Sequence, residues 1–181
     1  MVQNSAAIFN FFTSKTLLEF YKKQLGYNNN LLVIYPCVLT MNLSGDERNI
    51  LTWHQDSLVE EINHSYADAT TLWALLLDAT KENGCCEFCL SSHHERYPRN
   101  INKRTNDKQS SISMDIPNYI PDKFLKKKIT AKRKDIVTFS LNSLHRSDIN
   151  RSNMARFTVI SRIYDVYSSS YVLGKIIYKK S

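Results

Sequence analysis

The chain has 181 residues, of which 43% are apolar, and a formal net charge of +7 from 24 basic and 17 acidic side chains. This length and apolar fraction favour one domain with a buried core and argue against a chain that is disordered throughout. No apolar stretch approaches the length that spans a bilayer, and no N-terminal signal peptide is recognisable, so we expect a cytoplasmic protein without a membrane span.

The N-terminal third predicts helices followed by strands. Residues 6–25 place apolar side chains at mostly helical spacings, which predicts one or two short amphipathic helices. Residues 31–39 form an apolar, β-branched run of strand length that Pro36 should end or bulge. A polar turn at residues 44–49 then leads into a predicted strand that carries Trp53, His54 and Asp56.

The rest of the chain predicts further strands. The apolar run in residues 70–79 fits a buried strand, although periodicity alone does not exclude a helix. Asn83-Gly84 suits a tight hairpin turn with positive φ at both positions, with residues 85–90 as the returning strand. Residues 135–141 and 155–166 are strand-like, with His145 between them, and residues 171–178 suggest an edge strand. Short strands behind N-terminal helices indicate a mainly β fold.

One segment carries the whole excess of positive charge. Between Glu95 and Asp135 there are twelve Lys or Arg against five Asp or Glu. We expect residues 95–134 to form a basic loop or lid of a single domain spanning residues 1–181. Its charge favours an anionic partner, but its few aromatic residues are a poor stacking platform, which disfavours nucleic acid.

The cysteines argue against a disulfide framework. There are four, Cys37, Cys85, Cys86 and Cys89, which is too few and too clustered for one, and a reducing compartment fits them better. Together with His93 and His94, the last three could alternatively hold zinc or an iron–sulfur cluster. A second Cys-x-x-Cys pair is missing, so we treat this site as a minor alternative.

The strongest functional signal is His54-x-Asp56. On a strand, side chains two residues apart project from the same face, so this imidazole and this carboxylate could grip one ion. The pair alone is a weak signal, and its weight comes from an ordered set further along the chain. That set is His54-x-Asp56, Trp73, Asn83-Gly84-Cys85, His145-x-Ser147 and Arg156.

This ordered set resembles the phytanoyl-CoA dioxygenase family of Fe(II)- and 2-oxoglutarate-dependent oxygenases, from about Trp53 to Ile163. The resemblance implies a double-stranded β-helix, a jelly-roll or cupin-like fold, which agrees with the predicted strands. It also implies an enzyme that uses Fe(II), 2-oxoglutarate and dioxygen to hydroxylate a small organic, lipid-linked, CoA-linked or sugar-linked substrate. An aspartate at position 56 argues for hydroxylation or desaturation, because related halogenases carry a small residue there.

The resemblance also implies roles for individual residues. His54, Asp56 and His145 would be the metal ligands, two imidazoles and one carboxylate that leave open positions on the iron. Arg156 would clamp the distal carboxylate of 2-oxoglutarate with its planar donor fork, while Ser147 and Trp73 would line the same co-substrate site. Gln55, between two ligands, would face away from them and make a supporting hydrogen bond.

Two features depart from the family pattern. Leu90-Ser91-Ser92-His93 stands where members usually have Pro-Gly-Ser-His. In addition, 52 residues precede Trp53, where members usually carry a larger helical region. These departures keep an alternative open, a catalytically inactive or truncated β-barrel binding module of the same fold. The sequence leaves the substrate and the oligomeric state undetermined.

Overall fold

A computed structural model of the chain describes residues 5–26, 32–34, 37–47, 50–56, 70–97, 100–102 and 113–165. Helices α1 (Ala6–Phe12) and α2 (Lys15–Leu25) come first, which confirms the predicted helical start. The strands that follow are β1 (Leu32–Ile34), β2 (Val38–Asn42), β3 (Thr70–Leu75), β4 (Glu87–Cys89), β5 (Asn100–Asn102), β6 (Ser113–Asp115), β7 (Lys126–Lys128), β8 (Ile136–Ser140), β9 (His145–Arg146) and β10 (Arg156–Asp165).

The first sheet is five-stranded and antiparallel around β10. Its order is β1-β10-β3-β8, and β2 pairs with β10 as well. β1 pairs with the last residues of β10 and β2 with the first, Ile34 lying opposite Ile163 and Val38 opposite Ile160. One edge of β10 is therefore covered by two short strands, and Pro36, where the sequence predicts an end or a bulge, lies outside the described residues.

The second sheet has the order β7-β4-β9 and is also antiparallel, and β5 pairs with β6 in a separate two-stranded ribbon. The two larger sheets face each other, since Phe88 of β4 and Phe139 of β8 have ring centroids 4.9 Å apart. A mainly β chain with two facing antiparallel sheets confirms the predicted double-stranded β-helix.

Side chains alternate between two environments along β3 and β10, as the period of a strand requires. Leu72, Ala74, Val159 and Ile163 pack on the outer side of the first sheet in one buried cluster with residues of α1 and α2. Residues that point to the opposite, inner side of these two strands, including Trp73 and Arg156, line a cavity. This alternation assigns one face of β10 to stability and the other to the site.

The hairpin predicted at Asn83-Gly84 is wrong. β3 and β4 lie in different sheets, and β3 pairs with β8 and β10 instead. The turn closes through Asn83, whose side chain accepts a hydrogen bond from the amide of Thr80 and donates one to the carbonyl of Asp78. Of the two positions, Gly84 has a positive φ, of 80°.

Other predictions need correction or lie outside the described residues. His54 does not lie in a regular strand but forms a single bridge with His145. The basic segment 95–134 contains β5, β6 and β7, and its role as a lid stays a prediction. The strand predicted at 171–178 falls on residues that are not described. Among the described helices, none combines the length and hydropathy needed to cross a membrane.

Candidate metal centre

His54 and His145 are brought together by the backbone. The amide of His54 donates to the carbonyl of His145 over 2.9 Å, and the amide of His145 donates back over 3.0 Å. Residues that exchange both hydrogen bonds in an antiparallel pair lie directly opposite each other. The two imidazole rings consequently lie close, with centroids 4.2 Å apart.

Both imidazoles are oriented in the same way. Nδ1 of His54 is 2.7 Å from the carbonyl oxygen of Thr52, and Nδ1 of His145 is 2.9 Å from that of Ser143. A carbonyl can only accept, so each Nδ1 carries the hydrogen and each Nε2 keeps its lone pair. This second hydrogen bond is the usual way in which a protein orients a metal-binding histidine.

Asp56 completes the cluster. Its Oδ1 is 3.7 Å from Nε2 of His54 and 4.0 Å from Nε2 of His145, and the three ligand atoms all lie within 4.8 Å of one another. Ligands about 2.1 Å from an ion and at right angles are about 3 Å apart, so a small contraction would let all three bind one cation. All three side chains are buried.

The protonation states suit a cation. Burial raises the pKa of Asp56, but the guanidinium of Arg162 and the two imidazoles outweigh it and hold the pKa below its ordinary value. Burial, with a smaller contribution from His54, lowers the pKa of His145 to about 4. The site therefore presents an ionised carboxylate and a neutral imidazole at neutral pH, the forms that bind metal ions.

Two residues that sequence analysis missed hold the carboxylate of Asp56. The hydroxyl of Thr71 donates to Oδ2 over 2.7 Å, and a terminal nitrogen of Arg162 is 3.0 Å from Oδ1. Arg162 lies six residues beyond Arg156 on β10, and this even spacing places both on the inner face. The even spacing is a sequence signal that Arg162 shares the face of Arg156, but only the fold shows that Asp56 lies next to Arg162.

Arg156 is buried and rigidly held within the cavity wall. Its Nε donates to the carbonyl of Asn83 over 3.2 Å and its Nη2 to that of Gly84 over 3.0 Å. The guanidinium also lies 5.4 Å from the ring centroid of Trp73. Because its partners are neutral carbonyls, the positive charge of Arg156 is not cancelled, and Nη1 remains for an anionic ligand.

Gly84 allows this arrangement. A Cβ at Gly84 would lie 2.4 Å from the carbonyl oxygen of Asp148, too close for any other residue, and its φ of 80° favours glycine as well. The Asn83-Gly84 turn is therefore packed tightly against residues 148–150 while its carbonyls hold Arg156. Its function differs from the predicted one: it positions a side chain rather than joining two paired strands.

Ser147 and Leu51 are joined by two hydrogen bonds. The amide of Leu51 donates to the hydroxyl oxygen of Ser147 over 2.7 Å, and the amide of Ser147 donates to the carbonyl of Leu51 over 3.1 Å. These bonds hold the two chain segments together next to the His54–His145 bridge. Ser147 lines the same cavity as the triad, near the site that the sequence predicts for it.

A single cavity of about 410 Å³ contains all six residues that the sequence predicts for the site. The predicted residues in its wall are Trp73, His54, Asp56, His145, Ser147 and Arg156. Apolar and hydroxyl side chains complete it, among them Phe139, Ile160, Thr40 and Thr158. Charged groups are thus concentrated at a few points of an otherwise largely apolar pocket, which is typical of small-molecule sites.

Gln55 is fully buried and does not line the cavity. Its amide nitrogen donates to the carbonyls of Glu95 and Asn142 over 2.8 and 2.5 Å, and its oxygen accepts from the amide of Tyr97 over 3.0 Å. The predicted supporting hydrogen bond is present, and it links the His54–Asp56 segment to two separate parts of the chain.

The altered Leu90-Ser91-Ser92-His93 element still supports the site. Ser91 adopts the left-handed conformation, with a φ of 62°, where a glycine would be expected. The hydroxyl of Ser92 donates to the carbonyl of Cys89 over 2.7 Å and accepts from the amide of Leu144 over 2.8 Å. Since Leu144 precedes His145, this serine fixes the backbone beside a predicted ligand.

The alternative metal site at the cysteines is not supported. Among the described residues, His54, Asp56 and His145 form the one group of three potential ligands close enough to share an ion. Cys85, Cys86 and Cys89 are free thiols, and burial raises the pKa of all three. Protonated thiols are poor ligands.

Comparison with known proteins agrees with this geometry. The sequence profile of phytanoyl-CoA dioxygenase (PhyH) matches residues 23–158. No curated protein matches the sequence significantly.

Solved structures with the same fold include EvdO2 from Micromonospora carbonacea var. aurantiaca complexed with 2-oxoglutarate, with a TM-score of 0.68 and 14% identity over 87% of this chain and 62% of that one. AviO1 from Streptomyces viridochromogenes Tue57 has a TM-score of 0.65 and 15% identity, over 93% of this chain and 66% of that one. The epimerase SnoN, in complex with Fe³⁺, alpha ketoglutarate and nogalamycin RO, has a TM-score of 0.65 and 16% identity, over 90% and 60%. The chain spans between 31% and 67% of the lengths of the most similar solved proteins.

Proposed function

Because the chain belongs to the phytanoyl-CoA dioxygenase family, we propose that it is an Fe(II)- and 2-oxoglutarate-dependent dioxygenase that hydroxylates a small organic molecule. The observation that carries the proposal is the convergence of His54, Asp56 and His145 at a buried point of a cavity that also contains Arg156. Two imidazoles and one carboxylate with open positions are the ligand set of non-haem Fe(II) oxygenases. SnoN, in complex with Fe³⁺ and alpha ketoglutarate, and EvdO2, complexed with 2-oxoglutarate, add support.

The donor set fits the metal. His54 and His145 would bind through Nε2, since their Nδ1 atoms are already bonded to carbonyls, and Asp56 would bind through Oδ1, which faces both rings. When bound, iron supplies the activation of dioxygen that oxidises an unreactive C–H bond. The protein contributes by holding three ligands in a water-poor site, with their orientation set before the metal arrives.

Arg156 would hold the co-substrate. Its charge has only neutral carbonyls as hydrogen-bond partners, which favours a carboxylate, and its fixed guanidinium costs little entropy to order on binding. Trp73 supports the guanidinium from one side, and Ser147 is a further polar group of the same cavity. These residues suit the distal carboxylate of 2-oxoglutarate.

The cavity favours a small substrate. About 410 Å³ lies at the lower end of the range for ligand sites, and 2-oxoglutarate would take part of it. We infer that a compact group of the substrate enters, either free or carried on a lipid, CoA or sugar. The basic segment 95–134 favours an anionic carrier, because positive charge steers anions towards a site.

The test is an anaerobic titration of the metal-free protein with Fe(II) and 2-oxoglutarate, followed by the visible charge-transfer band of the chelate. We expect a band in the wild type, none in Asp56→Ala, and a band that requires far more 2-oxoglutarate in Arg156→Gln. The matched controls are Asp122→Ala and Arg151→Gln, exposed residues that do not line the cavity, and both should behave like the wild type.

The substrate does not have to be known for this experiment, because it measures the binding of Fe(II) and 2-oxoglutarate. Absence of the band in the wild type, with iron binding that does not depend on Asp56, would contradict an oxygenase site. That result would leave the non-catalytic binding module of the same fold as the better account.

A further inference from the structure

Arg162 contacts the oxygen that a metal would need. Its Nη2 is 3.0 Å from Oδ1 of Asp56. Oδ1 is also the oxygen that faces the two imidazoles, whereas Oδ2 accepts the hydroxyl of Thr71. An arginine that only supported the carboxylate could equally use the oxygen on the far side. Here the guanidinium and a cation would share one atom.

We propose that Arg162 is a built-in counter-charge, which stabilises the buried carboxylate of Asp56 in the metal-free protein and weakens the binding of a divalent cation there. This inference rests on the proposed metal site and concerns how its affinity is set. Arg162 neutralises the negative charge of Asp56 in the metal-free protein, and a bound metal would neutralise the same charge.

The metal-free protein needs such a charge. A buried carboxylate without a positive partner is costly, because it has lost its hydration. Nε2 of His54 and Nε2 of His145 lie 3.7 and 4.0 Å from Oδ1 of Asp56, whereas the guanidinium of Arg162 lies 3.0 Å from it. Within the described residues, Arg162 is the one Lys or Arg that pairs with Asp56.

The contacts of Arg162 indicate that Asp56 is what holds it. Its Nε is buried and has no hydrogen-bond partner among the described residues, in contrast to Arg156, which is fixed by two carbonyls. Arg162 also lines the cavity, so its side chain has open space beside it. A side chain with one strong contact and space beside it can adjust when that contact is shared.

The effect on metal affinity follows from linkage. A guanidinium within 3.0 Å of Oδ1 repels a divalent cation bound to the same oxygen. If metal binding weakens the Arg162–Asp56 pair by some factor, the pair weakens metal binding by the same factor, because coupling between two binding events is reciprocal. Removing the charge should therefore strengthen metal binding and weaken the metal-free fold.

The experiment measures Co²⁺ binding to the metal-free full chain by calorimetry, together with its melting temperature without metal. Co²⁺ is next to Fe²⁺ in the affinity order and takes the same ligands. We expect Arg162→Gln to bind Co²⁺ about tenfold more tightly, within the usual range of such couplings, and to melt at a lower temperature without metal. Arg162→Lys, which keeps the charge, should stay close to the wild type in both measurements.

The matched control is Arg151→Gln. Arg151 is exposed, does not line the cavity and pairs with Asp148 rather than with Asp56. The Co²⁺ affinity of this variant should be unchanged. Arg162→Met keeps an unbranched side chain without the charge, and it repeats the test should the glutamine variant fail to fold.

Two outcomes overturn the inference. Unchanged or weaker Co²⁺ binding in both Arg162→Gln and Arg162→Met would mean that Arg162 only positions Asp56. An unchanged melting temperature without metal would mean that the pair does not stabilise the metal-free state. Failure of the proposed function looks different, because wild-type Co²⁺ binding would then be absent or would persist in Asp56→Ala.

Discussion

The two arginines on the inner face of β10 are held in opposite ways. Arg156 donates to two neutral carbonyls, whereas Arg162 is paired with the carboxylate of Asp56. An arginine that is fixed by carbonyls keeps its charge for an incoming anion, and one that is paired with a carboxylate has its charge already cancelled. One strand thus carries two identical side chains in different electrostatic surroundings, and the different tasks that we propose for them follow from their partners.

The largest effect is expected when the buried pair of Asp56 and Arg162 is broken. Asp56→Asn leaves the guanidinium of Arg162 without its counter-charge in a site where that side chain is 13% exposed, so the metal-free protein should lose about 3 kcal/mol of unfolding free energy. Urea denaturation measures this loss. The exposed pair of Asp122 and Lys126 is the contrast, and Asp122→Asn should cost less than about 0.5 kcal/mol. Equal losses in the two variants would show that the buried pair contributes no more to the unfolding free energy than the exposed pair.

The second-largest effect is expected when the charge of Arg156, at the other end of β10, is removed. Arg156→Gln should weaken 2-oxoglutarate binding about 30-fold, because charge-assisted hydrogen bonds contribute about 1.5–3 kcal/mol. Equilibrium titration of the protein loaded with Co²⁺ measures the change, and the affinity for Co²⁺ alone is the internal control. Arg151→Gln, an exposed arginine outside the cavity, should have no effect. A normal 2-oxoglutarate affinity in Arg156→Gln would remove this arginine from the co-substrate site.

A third change tests how Arg156 is held. Gly84→Ala places a Cβ 2.4 Å from a backbone oxygen at a φ of 80°, so the turn must move and its carbonyl with it. We expect a loss of about 2–3 kcal/mol in unfolding free energy, above the cost of the left-handed conformation alone. Gly45→Ala separates the two causes, because Gly45 has a φ of 67° and nothing within 4 Å of the added atom, and it should lose about 1 kcal/mol. Equal costs would mean that the close approach has no consequence.

The smallest effect concerns the second partner of Asp56. Thr71→Val keeps the shape of the side chain but leaves Oδ2 without its hydroxyl donor, so Co²⁺ affinity should fall about tenfold, the lower end of the range for residues behind metal ligands. Thr71→Ser retains the hydroxyl and should bind Co²⁺ like the wild type. The direction is opposite to that expected for Arg162→Gln, so the two residues that touch one carboxylate can be told apart by calorimetry.

Local patterns succeeded where neighbouring residues determine the result. The helices at residues 6–25 and the strands at 135–141 and 155–166 were predicted from apolar spacing, and the structure confirms them. The hairpin at Asn83-Gly84 was wrong because a turn signal does not reveal which strands pair. Similarly, His54 was predicted on a strand, but its position is determined by one bridge to a residue 91 positions later.

Residue types, order and spacing are properties of the chain, and they were sufficient to predict the fold class, the family and six residues of the cavity wall. Which of these residues touch one another depends on how the chain folds. Arg162 is not in the set of residues that the sequence indicates, yet the pairing of β3 with β10 and the position of Asp56 place it on the carboxylate. Charge compensation acts through space over a few ångströms, so it can be recognised only when distant parts of the chain have been brought together.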